Sequence, residues 1–155
     1  MIRIYSKDLV SIECDGIFYY SLLLDKIKYF GGHLSYVFYY TSNQLVDPDV
    51  VLKENNDGFL SIVDYIWAKR EDRIQRIAKK VDIEDFEGPG FYKNTHRYEG
   101  KAPQWWIFNG EGEELFKVTD LNERQKQYPL LSRIDDIVMI DRVKEEWSIL
   151  DDPRL

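Results

Sequence analysis

The sequence predicts an α+β fold, a mostly antiparallel sheet packed against two or three helices in a single globular domain over residues 1–155. Three observations predict it. Short runs such as Val10, Ile12 and Cys14, set against Ser11 and Glu13, carry the two-residue period of strands. Longer segments repeat apolar residues at three- and four-residue steps, the period of helices. The two kinds do not alternate regularly, as they would in a parallel α/β fold. A chain of 155 residues, 44% hydrophobic and 15% aromatic, has the length and composition to build one core.

Taken in order, residues 3–5 and 9–14 read as strands, and Asp15-Gly16 supplies a two-residue hairpin turn that tolerates positive φ. Residues 17–30 are predicted as a helix: Ile17, Tyr20, Leu23, Leu24, Ile27 and Phe30 share one face, Ser21, Asp25 and Lys28 form a polar stripe, and Gly31 stops it. Phe18, Leu22 and Tyr29 fall on the opposite side, so this helix needs cover on both. Asp25, Lys26 and Lys28 interrupt the aromatic-rich stretch 16–40, and the uncharged run 16–24 is too short to span a bilayer, which excludes a membrane segment there.

Residues 33–42 alternate across two well-filled faces and read as a buried strand. A shorter strand is expected at 50–52, between Pro48 and the turn-forming run 55–58. The next prediction is a helix over 59–81, with Phe59, Ile62, Val63, Ile66, Trp67, Ile74, Ile77, Ala78 and Val81 on one face and Arg76, Lys79 and Lys80 favouring its C-terminal dipole. The basic stretch 69–80 then forms an exposed helix face, on which Asp72 is spaced to pair with Arg76. Residues 82–103 form a long irregular loop, a feature usually functional or mobile in compact domains. A hairpin follows, 104–108 with 114–118, turned at Asn109-Gly110. Asp120 and Glu123 have capping-box spacing for a helix that Pro129 stops, and a last helix over 135–150 buries Ile140, Val143, Trp147 and Leu150.

Net charge of −7 and a pI near 4.9 argue against generic binding to nucleic acid or anionic membrane and favour a basic protein partner. The lone Cys14 forms no internal disulfide, and the N-terminus lacks the apolar run of a signal peptide, so a cytoplasmic location is expected. Neither phosphate-cradling glycine motif occurs. His33, His96 and Cys14 are too scattered for a zinc site, and the acids at 82–87 do not follow calcium-loop spacing, so no cofactor and no metal are expected.

The residues selected for partner binding are the loop carboxylates Asp82, Glu84, Asp85 and Glu87, the hairpin-tip carboxylates Glu111, Glu113 and Glu114, and the pair Trp105 and Trp106. The carboxylates suit electrostatic steering toward a basic surface. Adjacent tryptophans on a strand face opposite sides, so one of them needs cover from a second layer, a loop or a partner. A third acidic set, Asp135, Asp136, Asp141, Glu145 and Glu146, decorates the last helix.

In size, acidity and lack of a catalytic signature, the chain resembles the immunity proteins with which bacteria neutralise their own toxins, many of them basic nucleases. That resemblance implies a non-enzymatic protein that inhibits its partner by direct binding. Two other readings remain open. One is a hydrolase or nuclease centred on His96, with Tyr92, Lys93, Arg97, Tyr98, Glu99 and Lys101 around it. The other is a structural subunit that forms homo-oligomers through its spare aromatic surface.

Overall fold

The computed structural model describes residues 1–28, 31–96 and 104–155, His96 by its backbone alone. It has the predicted α+β class. Among the described residues, β1 (Leu9–Cys14), β2 (Ile17–Lys26), β3 (His33–Ser42), β4 (Gly58–Asp64), β5 (Ile74–Ala78) and β9 (Arg133–Asp135) form a six-stranded sheet in the order β5-β1-β2-β3-β4-β9. Only the β4–β9 pair is parallel. A second, antiparallel sheet orders β6 (Phe91–His96), β7 (Gln104–Asn109) and β8 (Glu114–Val118). Three α-helices are short: α1 (Ile66–Arg70), α2 (Glu123–Lys126) and α3 (Asp136–Lys144).

The β1–β2 hairpin turns as its sequence requires, with Asp15 at φ +52° and Gly16 at φ +77°. After the turn the chain departs from expectation, because residues 17–26 form a strand where a helix was predicted. Tyr19 and Leu23 face one core cluster, while Tyr20, Leu22 and Leu24 face another across the sheet. A strand covered on both sides is apolar at every position, and such a run fits a helical wheel just as well. Leu22 is fully buried and Phe18 packs at the edge of the second cluster. Tyr29 and Phe30 lie outside the described residues, and Gly31 precedes β3 instead of stopping a helix.

Four further expectations are corrected. Residues 3–5 are not a strand, although Ile4 is buried. Residues 50–54 form one turn of π-helix, not a strand. The helix expected at 59–81 is β4, α1 and β5: its three- and four-residue spacing merges the buried faces of two strands, and Asp72 at φ +52° turns the chain between them. The loop expected at 82–103 holds a 3₁₀ turn, Glu84–Phe86, and strand β6, while 97–103 lie outside the described residues.

The C-terminal helices are also shorter than expected. Asn122, not Asp120, caps α2, in a reciprocal box with Gln125. Asp135 caps α3 by accepting from the Val138 amide, and Glu146 at φ +49° lies just beyond the helix end. Ile140 and Val143 are buried, Trp147 is half-buried against Phe59, and Leu150 is exposed.

Two buried polar groups tie the large sheet to its covering layers. The Tyr65 hydroxyl lies 2.5 Å from Ser21 Oγ and 2.7 Å from Ser35 Oγ, which explains serines on an otherwise apolar face. Arg73 donates to the fully buried Asp136 at 2.8 Å, linking the approach to β5 with α3. Arg76 pairs with Asp8 at 3.0 Å instead of Asp72.

Candidate protein-docking site

The two carboxylate runs owe their exposure to apolar residues between and beside them. Val81, Ile83 and Phe86 dock on the second core cluster, Phe86 with its ring edge-on to Tyr36 and Phe38 at 5.0 and 5.6 Å. Asp82, Glu84, Asp85 and Glu87 therefore point outward, and Asp82 Oδ1 accepts from the Glu84 amide at 3.0 Å. At the hairpin tip, Asn109 Oδ1 accepts from the amides of Glu111 and Glu113 at 3.0 and 2.9 Å, and Gly112 takes φ +81°. This leaves Glu111, Glu113 and Glu114 exposed.

Strand pairing brings the two runs to the same end of the small sheet. Phe91 lies opposite Asn109, and the Gly90 carbonyl comes so close to Gly110 that a Cβ there would meet it at 3.4 Å. Between them and the end of β2 lies a cavity of about 270 Å³ with Leu24, Leu34, Ile83 and Pro89 among its walls. Its only charged lining, among the described residues, is Asp25 and Glu87. A neighbouring hollow of about 150 Å³ shares Asp25, Tyr92 and Gly110, and adds Glu111 together with Lys26 and Lys28.

Tyr92 lines both hollows and is only 3% exposed. Its hydroxyl bonds to no described residue. Burial, helped by Asp25, pushes its pKa up to about 12, so it stays a neutral phenol able to donate or accept. Asp25 did not enter the partner-binding set read from the sequence. The signal was present in "LLLDK": a carboxylate that abruptly ends a fully apolar strand has to emerge at a sheet end.

Apolar walls with two carboxylates and a phenol complement a lysine or arginine side chain, whose stem is apolar and whose head is cationic. Among the described residues the small sheet has one open edge. On its β6 side the edge is sealed, since the Lys93 amide donates to the Pro129 carbonyl at 3.1 Å and accepts in turn from Leu131 at 2.9 Å through its own carbonyl. On the other side β8 pairs only with β7 among the described residues, and Leu115 and Phe116 are 48% and 47% exposed.

The tryptophans divide as strand geometry demands. Trp105 is buried, with the cationic groups of Lys93 and Arg154 each 5.8 Å from its ring, so the chain itself covers it. Trp106 is half-buried on the other face, with the Lys117 ammonium 5.5 Å from its ring. Asp135 and Asp136 of the third acidic set serve the fold as helix cap and buried ion-pair partner.

The backbone of His96 closes β6 opposite Gln104, but its side chain and Arg97, Tyr98, Glu99 and Lys101 lie outside the described residues. Among the described residues no three His, Cys, Asp or Glu side chains gather as a metal site would need, and no helix is long and apolar enough to cross a membrane. Compared with protein-family models, with curated proteins and with solved structures, the chain matches none.

Proposed function

We propose that this chain is a non-enzymatic, cytoplasmic binding protein that holds and neutralises a basic protein partner, as immunity proteins do with toxins, at the end of its small sheet. The observation that carries this reading is the apolar cavity whose charged lining, among the described residues, is Asp25 and Glu87, with the Tyr92 hydroxyl, bonded to no described residue, in its wall. A lysine or arginine of the partner enters it, its stem against Leu24, Leu34 and Ile83 and its head at the carboxylates. An extended segment of the partner adds to β8, covering Leu115 and Phe116. Asp82, Glu84, Asp85, Glu111, Glu113 and Glu114 steer the approach, and Trp106 flanks the seated segment.

The test is affinity capture from the native cell with the tagged chain and with its Asp25→Lys/Glu87→Lys variant. The expected result is a basic protein retained in equimolar amount by the first, lost from the second, released as salt rises and inhibited in its own activity while bound. Equal retention by the double variant, or a complex indifferent to salt, would sink the reading.

A further inference from the structure

Arg3, Lys26 and Lys69 reach one cavity of about 320 Å³ from three separate segments: the N-terminal stretch, the end of β2, and α1. His33 joins them, and among the described residues no carboxylate lines the space. In a chain of net charge −7, such a convergence of cations runs against the overall balance. The ion pairs of the described residues engage Lys53, Arg73, Arg76, Lys117, Lys126, Arg133 and Arg154, and leave these three cations out.

The cavity is built by specific features of the fold. A β-bulge between Leu23 and Asp25 shifts the register of β2, so that Leu23 lies opposite Ser35 and Lys26 opposite His33. Without it Lys26 would follow Leu22 and Leu24 to the other face of the sheet. The N-terminal wall is held by Asp8, whose Oδ2 accepts from the Tyr5 amide at 2.8 Å, and by Arg76, which donates to the Arg3 carbonyl at 2.7 Å. Lys69 is placed by α1, its amide donating to the Tyr65 carbonyl at 2.9 Å.

His33 is 8% exposed, and its imidazole makes no hydrogen bond to any described residue. Burial, reinforced by Lys26 and Lys69, lowers its pKa to about 4, so at neutral pH the ring is uncharged and carries one N–H donor. Among the described residues that line the cavity its charged neighbours are cations, while Asp25 and Asp8 act on the ring more weakly from outside the lining.

We infer that the cavity binds a phosphate-bearing small anion, with its phosphate oxygens taken by Arg3, Lys26, Lys69 and the His33 N–H, and the rest of the molecule against Ile2 and Tyr5. Three cations suit a doubly charged phosphate, which offers more charge and more acceptors than a carboxylate. The volume matches the lower end of small-molecule sites, roughly 300 Å³.

His33 is one of two histidines in the chain, so its ring resonances report on the site directly. Titrating the full chain at constant ionic strength, inorganic phosphate and adenosine monophosphate are each expected to shift those resonances saturably, and acetate is not. The tighter of the two identifies the source, free phosphate or a phosphate monoester. Lys26→Gln/Lys69→Gln is expected to weaken phosphate binding by about tenfold or more, with the circular dichroism spectrum unchanged. If the pair disturbs folding, Lys69→Gln alone makes the same test. The inference is overturned by the absence of a saturable shift with either phosphate compound, by acetate acting as strongly as phosphate, or by variants that bind phosphate unchanged.

Discussion

β2 and β8 carry the same sequence feature to opposite fates. Leu22, Leu23 and Leu24 are consecutive apolar residues in β2, as Leu115 and Phe116 are in β8, and in both strands neighbours must face opposite sides. β2 lies inside a six-stranded sheet with a core cluster on each face, and all three leucines are buried. β8 is the edge of a three-stranded sheet, and Leu115 and Phe116 are about half exposed. The large sheet thus has its apolar surface covered from within, while the small sheet presents apolar surface beside a concentration of carboxylates. Stability is concentrated in the first, and the protein docking proposed above draws on the second.

The sharpest way to break that division is through the buried ion pair that ties α3 to the large sheet. Asp136→Ala leaves the mostly buried Arg73 without its main partner, and is expected to cost about 3–5 kcal/mol in urea unfolding. Leu22→Ala is expected to cost about 2–5 kcal/mol, because a fully buried site in the middle of a sheet cannot collapse around the cavity. Leu115→Ala, the same truncation in β8, is expected to stay within about 0.5 kcal/mol. Similar losses at Leu22 and Leu115 would show that β8 is covered after all, and would remove the contrast.

The same contrast explains what was legible in the sequence. β3 was readable by its two-residue period, and the β1–β2 turn and the β7–β8 hairpin by local turn chemistry at Asp15-Gly16 and Asn109. β2 and β4 were not. Both are covered on two sides, so apolar residues fill neighbouring positions instead of alternate ones and imitate a helical face when read alone. Of the site, the carboxylates at 82–87 and 111–114 were visible as charge runs, but their meeting through Gly90 and Gly110 depends on strand pairing distant in sequence. Lys26 and His33 became neighbours through a one-residue bulge, which no local pattern announces.

A smaller effect separates the phosphate cavity from the rest of the large sheet. The folded His33 titrates near 4 against an ordinary 6.5, lowered by burial first and then by Lys26 and Lys69, with Asp25 and Asp8 opposing. Below pH 6.5 the unfolded chain takes up a proton that the folded chain refuses, so stability present above that pH is lost as pH falls toward 4. The loss is about 2–3 kcal/mol, read as the difference in acid unfolding between the parent chain and His33→Gln. Phosphate in the cavity should reduce this loss, because an anion beside the ring favours its charged form.

The smallest expected effect on stability accompanies the largest on binding. Asp25 and Glu87 are exposed, and neither is in an ion pair among the described residues. Asp25→Lys/Glu87→Lys should therefore shift the unfolding free energy by no more than about 0.5 kcal/mol while abolishing retention of the basic partner. Carboxylates that matter to binding and not to folding are what a docking cavity requires. If the double reversal instead destabilises the chain as much as Leu22→Ala, these two residues serve the fold, and the division between the two sheets lies elsewhere.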